Sequence, residues 1–175
     1  SPVWRPMLTE LTRRHRLVRF DQRACGLSER GVADVSFEAM VRDLEAVVDA
    51  AGLDRFALLG ISQSCAISVA YAVRHPERIT ALVLYGGYVK GWRMRGDPKE
   101  IARREAMSIL IREGWGAGPP MFRQLFTSMF IPDATPEQSH WYNDLQRASA
   151  TPEDAWRIQN AMADIDVEDL LPRVS

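Results

Sequence analysis

The residues best suited to chemistry are Ser62 and its neighbours in "LLGISQSCA" (58–66). Ser62 lies in Gly60-Ile61-Ser62-Gln63-Ser64, directly between an apolar run and a second apolar stretch, with no residue to spare for a loop. A serine hydroxyl becomes a nucleophile when a base takes its proton and nearby donors hold the oxyanion formed by its attack. A turn this abrupt forces unusual dihedrals on its middle residue, and small residues two before and two after it let a strand and a helix pass closely. Gly60 and Ser64 meet that need. The amide of Gln63, at the start of the helix, is the expected oxyanion donor, because a helix N-terminus presents unpaired N–H groups and a positive dipole end. The bland alternative is a serine in an ordinary strand-to-helix turn.

The flanking elements decide between these. "RFALLG" (55–60) reads as a strand buried on both faces. "QSCAISVAYAVRHP" (63–76) is apolar almost all round and reads as a buried helix stopped before Pro76. "ITALVLYGG" (79–87) reads as a second buried strand. Strand, helix and strand form a βαβ unit with parallel strands, so Ser62 is expected at the carboxyl edge of the sheet, where such sheets bind ligands. Upstream, Trp4, Leu8 and Leu11 share one face of a helix over 4–14, and "RLVRFD" (16–21) reads as a short strand. "QRACGLSERGVAD" (22–34) reads as a loop. Ser36 reads as the N-cap of a helix whose apolar residues run from Phe37 to Ala51, with Gly52 just past its end.

From Asp97 the pattern becomes helical throughout. "DPKE" (97–100), "TPEQ" (135–138) and "TPED" (151–154) share one start: Asp or Thr at the N-cap, Pro at the first helical position, an acid or amide at the third. Between the first two, Phe122, Leu125, Phe126 and Met129 line one helix face. This segment is expected to pack a core of its own and to cover a site on the sheet. "DVEDLLPRVS" (166–175) reads as a short helix leading toward another strand.

Other candidates carry less. The 22 Lys and Arg nearly balance the 23 Asp and Glu, so neither nucleic acid nor an anionic membrane is an expected partner. Arg13-Arg14-His15-Arg16 reads as a solvated helix end. Two cysteines do not make a disulfide framework, and Cys25 and Cys65 fit a reducing cytoplasm as small apolar residues. No apolar run approaches the ~20 residues of a membrane span, and no leader is read before the first helix. The chain opens on Ser1 rather than Met, so its start is read as a chosen boundary or a product of processing. No metal-ligand spacing or phosphate-binding glycine loop is seen, so no cofactor and no metal are expected.

With "GISQS" in this setting, the chain resembles the α/β-hydrolase superfamily over essentially its whole length, most closely bacterial hydrolases of the esterase, haloperoxidase and epoxide-hydrolase-like branch. "RLVRFDQRACGLSE" is similar to that family's D-x-R-G-x-G-x-S, seen here as Asp21, Arg23, Gly26 and Ser28, with Ala24 where Gly is usual. "RHPERITALVLYGG" resembles the end of the elbow helix and the next strand. The resemblance implies an α/β fold, with a mostly parallel sheet, flanking helices and a helical cap, incomplete at both ends. It divides the chain into a partial core (1–96), a cap (97–165) and a return toward the core (166–175). It implies a triad in the order Ser, acid, His, with the acid and His beyond "PRVS", and a second oxyanion N–H from a strand before residue 1. Removing that interior strand leaves unpaired backbone edges. A longer protein, strand exchange with a second copy and a rearranged sheet are all open answers. Ser62 disfavours dehalogenase and epoxide-hydrolase chemistry, which needs Asp at that position. Ser64-Cys65 replaces the usual Gly-Gly, and Cys65 is read as packing.

The histidines present do not fill the gap. His15 precedes the strand at 16–21. His75 ends the elbow helix, roughly 20 Å from Ser62 at 1.5 Å per residue. His140 is a surrogate base only if its helix turns it toward the site. Two functions follow. The first is a serine hydrolase acting on small hydrophobic carboxylic esters, or the core-and-cap portion of one, with Phe122, Phe126, Met129 and Trp141 as acyl-pocket candidates. The second is a non-catalytic module of this fold that binds a ligand or forms a homo-oligomer through exposed sheet edges.

Overall fold

In the computed structural model of the chain, the structure describes residues 3–116 and 119–175. Backbone proximity divides the chain into two compact units that do not follow chain order. One joins Ser1–Gly31 to Ile109–Trp156, and the other joins Val32–Ser108 to Arg157–Ser175.

The second unit carries the βαβ element. Helix α2 (Phe37–Ala50) starts at Ser36, whose hydroxyl accepts from the Ala39 amide at 3.2 Å. It ends before Gly52, which is left-handed at φ +60°. Its spacing brings Ala39, Met40, Val41, Leu44 and Val48 into the core. Strand β1 (Phe56–Ile61) runs into helix α3 (Ser64–Arg74), and β2 (Ile79–Tyr85) follows in parallel register, with Ile61 beside Tyr85. Every residue of α3 from Cys65 to Ala72 is buried, as its unbroken apolar surface requires.

Two expectations about the strands are corrected. Neither β1 nor β2 is buried on both faces: Val83 is 52% and Tyr85 65% exposed, and Leu59 is also open. A parallel strand is enclosed only when helices cover both faces, and among the described residues α3 is the helix that packs most closely on β1 and β2. Residues 16–20 form no strand. A strand exists by pairing, and that segment has no ladder partner among the described residues. The last segment of this unit forms a 3₁₀ turn (Glu168–Arg173). Before it, Gly91 N–H donates to Ile165 O at 2.8 Å and Val167 N–H to Val89 O at 2.9 Å. A Cβ at Gly91 would lie 2.1 Å from the Ala163 oxygen, so this pairing demands glycine.

The helical segment consists of α4 (Pro98–Gly114), α5 (Pro120–Phe130), α6 (Pro136–Ser149) and α7 (Pro152–Ala163). The three Asp/Thr-Pro starts all open helices, at Pro98, Pro136 and Pro152. In the first unit the apolar face of α5 is turned from the expected stripe. Phe126 is 1% exposed, but Leu125 and Met129 are open. The reason is α6: buried Gln146 donates through Nε2 to Arg123 O at 3.2 Å and to Thr127 Oγ1 at 3.0 Å. Thr127 in turn donates to Asn143 Oδ1 at 2.6 Å. Buried polar groups must be paired, and that chain of bonds draws the 123–127 side of α5 inward.

The 21–31 loop belongs to the same unit. Asp21 accepts from Leu27 N–H at 3.0 Å, and Ser28 Oγ donates to Asp21 O at 2.6 Å. Gly26 is left-handed, and a Cβ there would meet the Asp21 carboxylate at 2.3 Å. The loop is tied to the corner between α6 and α7. Gly26 N–H donates to Ser149 O at 2.7 Å, and Gly31 N–H to the buried Asp154 carboxylate at 3.2 Å.

Candidate active site

β1 delivers the chain to Ser62 and α3 takes it away two residues later. Ser62 sits at φ +56°, one of two residues other than glycine in the left-handed region among the described residues. For an L-residue that conformation costs roughly 1–2 kcal/mol, and the surrounding contacts impose it. Ser62 N–H donates to Tyr85 O in β2 at 3.0 Å, and the Ser62 carbonyl accepts from Cys65 N–H at 3.0 Å. Gly60 must be glycine here, because a Cβ would stand 2.7 Å from Ser68 Oγ and 2.9 Å from the Cys65 Cα. The backbone is held on both sides, and Ser62 remains exposed.

Gln63 occupies the N-cap of α3, with φ −58° and ψ −29°. Its amide belongs to the end of the helix where N–H groups point outward and the dipole is positive.

Cys65 lies in the first turn of α3 and its thiol donates to Gly60 O at 3.3 Å. Burial pushes its pKa up, against the weaker pull of the Tyr85 carbonyl contact. A thiol with a raised pKa makes little thiolate and is a poor nucleophile. Cys65, Ala66 and Val69 floor a cavity of about 310 Å³ walled by Leu84, Gly87 and Tyr88. Tyr88 was not singled out by its sequence pattern. Its phenol is pushed up by burial, with Arg104 and Arg95 pulling the other way. The only clue in the sequence is the Gly-Gly pair before it, which lets the chain turn against α3: a Cβ at Gly87 would meet Cys65 Sγ at 2.2 Å.

The histidines divide clearly. His75 Nε2 lies 3.0 Å from Glu45 Oε1, and its ring stacks on Tyr71 at 4.7 Å, at the far end of α3 from Ser62. His15 caps the end of α1 (Arg5–Arg14) and is exposed. His140 is 83% exposed and pairs with Asp144 one turn along α6 at 3.2 Å. Of the acyl-pocket candidates, Phe126 is packed on Trp115 at 5.3 Å and Phe122 lies against Gly114. Trp141 is half-buried against Tyr142, and Met129 is open. Among the described residues no group of three His, Cys, Asp or Glu could hold a metal ion, and no described helix is long and apolar enough to cross a membrane.

Comparison with known proteins agrees with this fold. A family model described as the alpha/beta hydrolase fold matches residues 1–165. The 2-hydroxy-6-oxo-2,4-heptadienoate hydrolase of Pseudomonas putida is 38% identical over 85 residues, 47% of this chain and 30% of that protein. The chain spans about a third of the length of the curated relatives it matches. Among solved structures, olei00960, a hydrolase from Oleispira antarctica, superposes with a TM-score of 0.81 at 19% identity, covering 99% of this chain and 65% of that one. The esterase EaEST from Exiguobacterium antarcticum gives 0.74 at 20% identity, covering 89% and 58%. At those identities the likeness is one of fold.

Proposed function

Because the chain belongs to the α/β-hydrolase fold family, we propose that it is the core-and-cap portion of a serine hydrolase in which Ser62 attacks the carbonyl of a small, apolar carboxylic ester. One observation carries the reading: a non-glycine residue held at φ +56° between a parallel strand and a helix, with its hydroxyl exposed. A strained backbone is retained where the fold or the chemistry needs it, and here it presents a hydroxyl at the carboxyl end of β1.

In this mechanism Ser62 Oγ bonds to the carbonyl carbon as a base takes its proton. The carbonyl oxygen becomes an oxyanion held by the Gln63 amide and a second N–H. Collapse returns the proton to the departing alkoxide and leaves an acyl group on Ser62, which water releases by the same steps. The base is not His75, which is committed to Glu45 at the opposite end of α3. We assign it to the rest of the protein, and His140→Ala tests whether His140, which pairs with Asp144, has any part in it. Free Cys25 and Cys65 accord with a reducing cytoplasm.

The test is hydrolysis of a short-chain p-nitrophenyl ester by the purified chain and by the product of the complete gene. Ser62→Ala and His140→Ala are run beside each. Ser62→Ala is expected to lower kcat by about a thousandfold or more with folding intact. Equal rates with and without Ser62 would refute the reading. A second reading rests on the open faces of β1 and β2. Leu59, Val83 and Tyr85 are exposed apolar residues at alternating positions of one small sheet, and exposed apolar surface can mark association. On that reading the chain is a binding or homo-oligomerising module. A concentration-dependent mass in light scattering, together with no Ser62-dependent hydrolysis, would favour it.

A further inference from the structure

Ser64 stands where the elbow needs a small residue, but smallness does not account for its hydroxyl. Ser62 N–H points to β2 and donates to Tyr85 O at 3.0 Å. Successive residues of a strand face opposite edges, so the N–H and C=O of Ile61 point away from β2. Ser64 Oγ meets them both. It accepts from Ile61 N–H at 2.7 Å and donates to Ile61 O at 2.8 Å. One hydroxyl thus does for Ile61 what a neighbouring strand does elsewhere in a sheet. It also joins the last residue of β1 to the first residue of α3, closing the turn around Ser62.

We propose that Ser64 is a positioning residue for Ser62: its double hydrogen bond to Ile61 holds the elbow shut and keeps Ser62 in the left-handed conformation that aims its hydroxyl. This rests on the reading of Ser62 as the nucleophile. Left-handed non-glycine residues persist only where their surroundings over-determine them. Three contacts converge on this turn: the bond from Ser62 to Tyr85, the bond from Cys65 to Ser62, and the pair of bonds between Ser64 and both backbone groups of Ile61. The first two are made by the backbone and survive any substitution at position 64. The third depends on a hydroxyl. Alanine there fills the same space, leaves the Ile61 N–H and C=O to water, and frees Ser62 to swing toward ordinary dihedrals.

Ser64→Ala and Ser64→Thr decide the matter in two measurements. The first is amide hydrogen exchange at Ile61, read by NMR on the chain as it stands. The second is kcat and KM for a p-nitrophenyl ester. Ser64→Ala is expected to speed Ile61 exchange by about tenfold, as loss of a net hydrogen bond should. It is also expected to lower kcat by about tenfold with KM within about twofold. Ser64→Thr keeps the hydroxyl and restores both. Unchanged Ile61 exchange in Ser64→Ala overturns the proposal. So does a variant that melts earlier yet keeps kcat and KM, because its role is then only structural. If the parent protein shows no Ser62-dependent hydrolysis, the reading of Ser62 fails, and Ile61 exchange alone upholds or overturns the lock.

Discussion

Ser62 in the elbow and Ala24 in the 21–31 loop share a conformation, at φ +56° and +63°, and nothing else. Ala24 is fully buried, and its amide donates to Glu29 O at 2.9 Å. Its methyl group can do no chemistry, and the left-handed turn there serves only to close the loop on itself. Ser62 is exposed, and its side chain carries a hydroxyl. Backbone strain therefore does not identify an active residue. What separates the two is whether the strained residue presents a reactive group to solvent, and whether a helix N-terminus stands beside it. The supports differ as well. The loop is held by a buried carboxylate, Asp154, that accepts from Gly31 N–H and from Thr151 Oγ1 at 2.9 Å. The elbow is held by strand pairing and by close backbone contact at Gly60.

The comparison breaks first at its glycines. Gly26→Ala puts a Cβ 2.3 Å from the bound Asp21 carboxylate at φ +57° and should cost about 2–4 kcal/mol. Gly60→Ala pushes on Cys65 Cα and the Ser64 carbonyl and should cost about 1–3 kcal/mol. Only Gly60→Ala is expected to cut ester hydrolysis, by on the order of a hundredfold, because displacement of a reacting group by an ångström is that costly. Denaturant melts and kcat measured on both variants check this. Equal kinetic losses would mean that the loop also bears on the reaction.

Asp154→Ala should destabilise by about 2–3 kcal/mol, since it removes the carboxylate that holds the N-cap hydroxyl of Thr151 and orphans the Gly31 amide. Hydrogen exchange should quicken at Gly31 and at the start of α7 and stay unchanged at Ile61 and Ser62. Faster exchange at the elbow would show that the two supports are coupled.

Smaller effects sharpen the contrast. Ser62→Gly loses no burial and relieves the left-handed strain, so it should be about 0.5–1 kcal/mol more stable while inactive. Ala24→Gly gains the same relief but loses a buried methyl and makes the unfolded chain more flexible. Those terms nearly cancel, leaving it within about 1 kcal/mol of the parent. Thermal melts of the two variants side by side decide this, and a stabilised Ala24→Gly with a destabilised Ser62→Gly would reverse the argument.

Each region also holds one free cysteine, and the two should behave alike. Burial raises the Cys65 thiol. Burial, then Asp154 and Asp21, raise Cys25 against the pull of Arg30. Both thiols are thus protonated through neutral pH, and thiolate appears only as pH rises past the ordinary thiol value. Iodoacetamide labelling followed by mass spectrometry should find both at least about tenfold slower than a free thiol at pH 7 and faster above pH 9. Rapid labelling of Cys65 at pH 7 would return it to the list of nucleophiles.

Much of the elbow was legible because its causes are local. Gly60, Ser62 and Ser64 lie within five residues, bounded by apolar runs whose lengths separate strand from helix. The left-handed position at Ala24 was foreshadowed too, by alanine standing where glycine is usual. The double bond from Ser64 to Ile61 was not legible, because a small residue meets the steric need with or without a hydroxyl. The open strand faces were missed for a different reason. An apolar run records what a strand is suited to be buried against, and whether anything covers it is a matter of other chain segments. Residues 16–20 failed as a strand on the same ground, since pairing is not a property of one segment.

The three helix starts mark the boundary most plainly. Their residues determined that helices begin at Pro98, Pro136 and Pro152, because N-cap side chains and proline act within a single turn. What became of the acid or amide at the third position was decided by tertiary structure. Gln138 closes a capping box on Thr135. Glu100 turns to Arg95 and Arg104. Asp154 reaches across more than a hundred residues of sequence to Gly31. A backbone turn is specified by its own few residues. A carboxylate takes the nearest unsatisfied donor, and only the folded chain determines which donor that is.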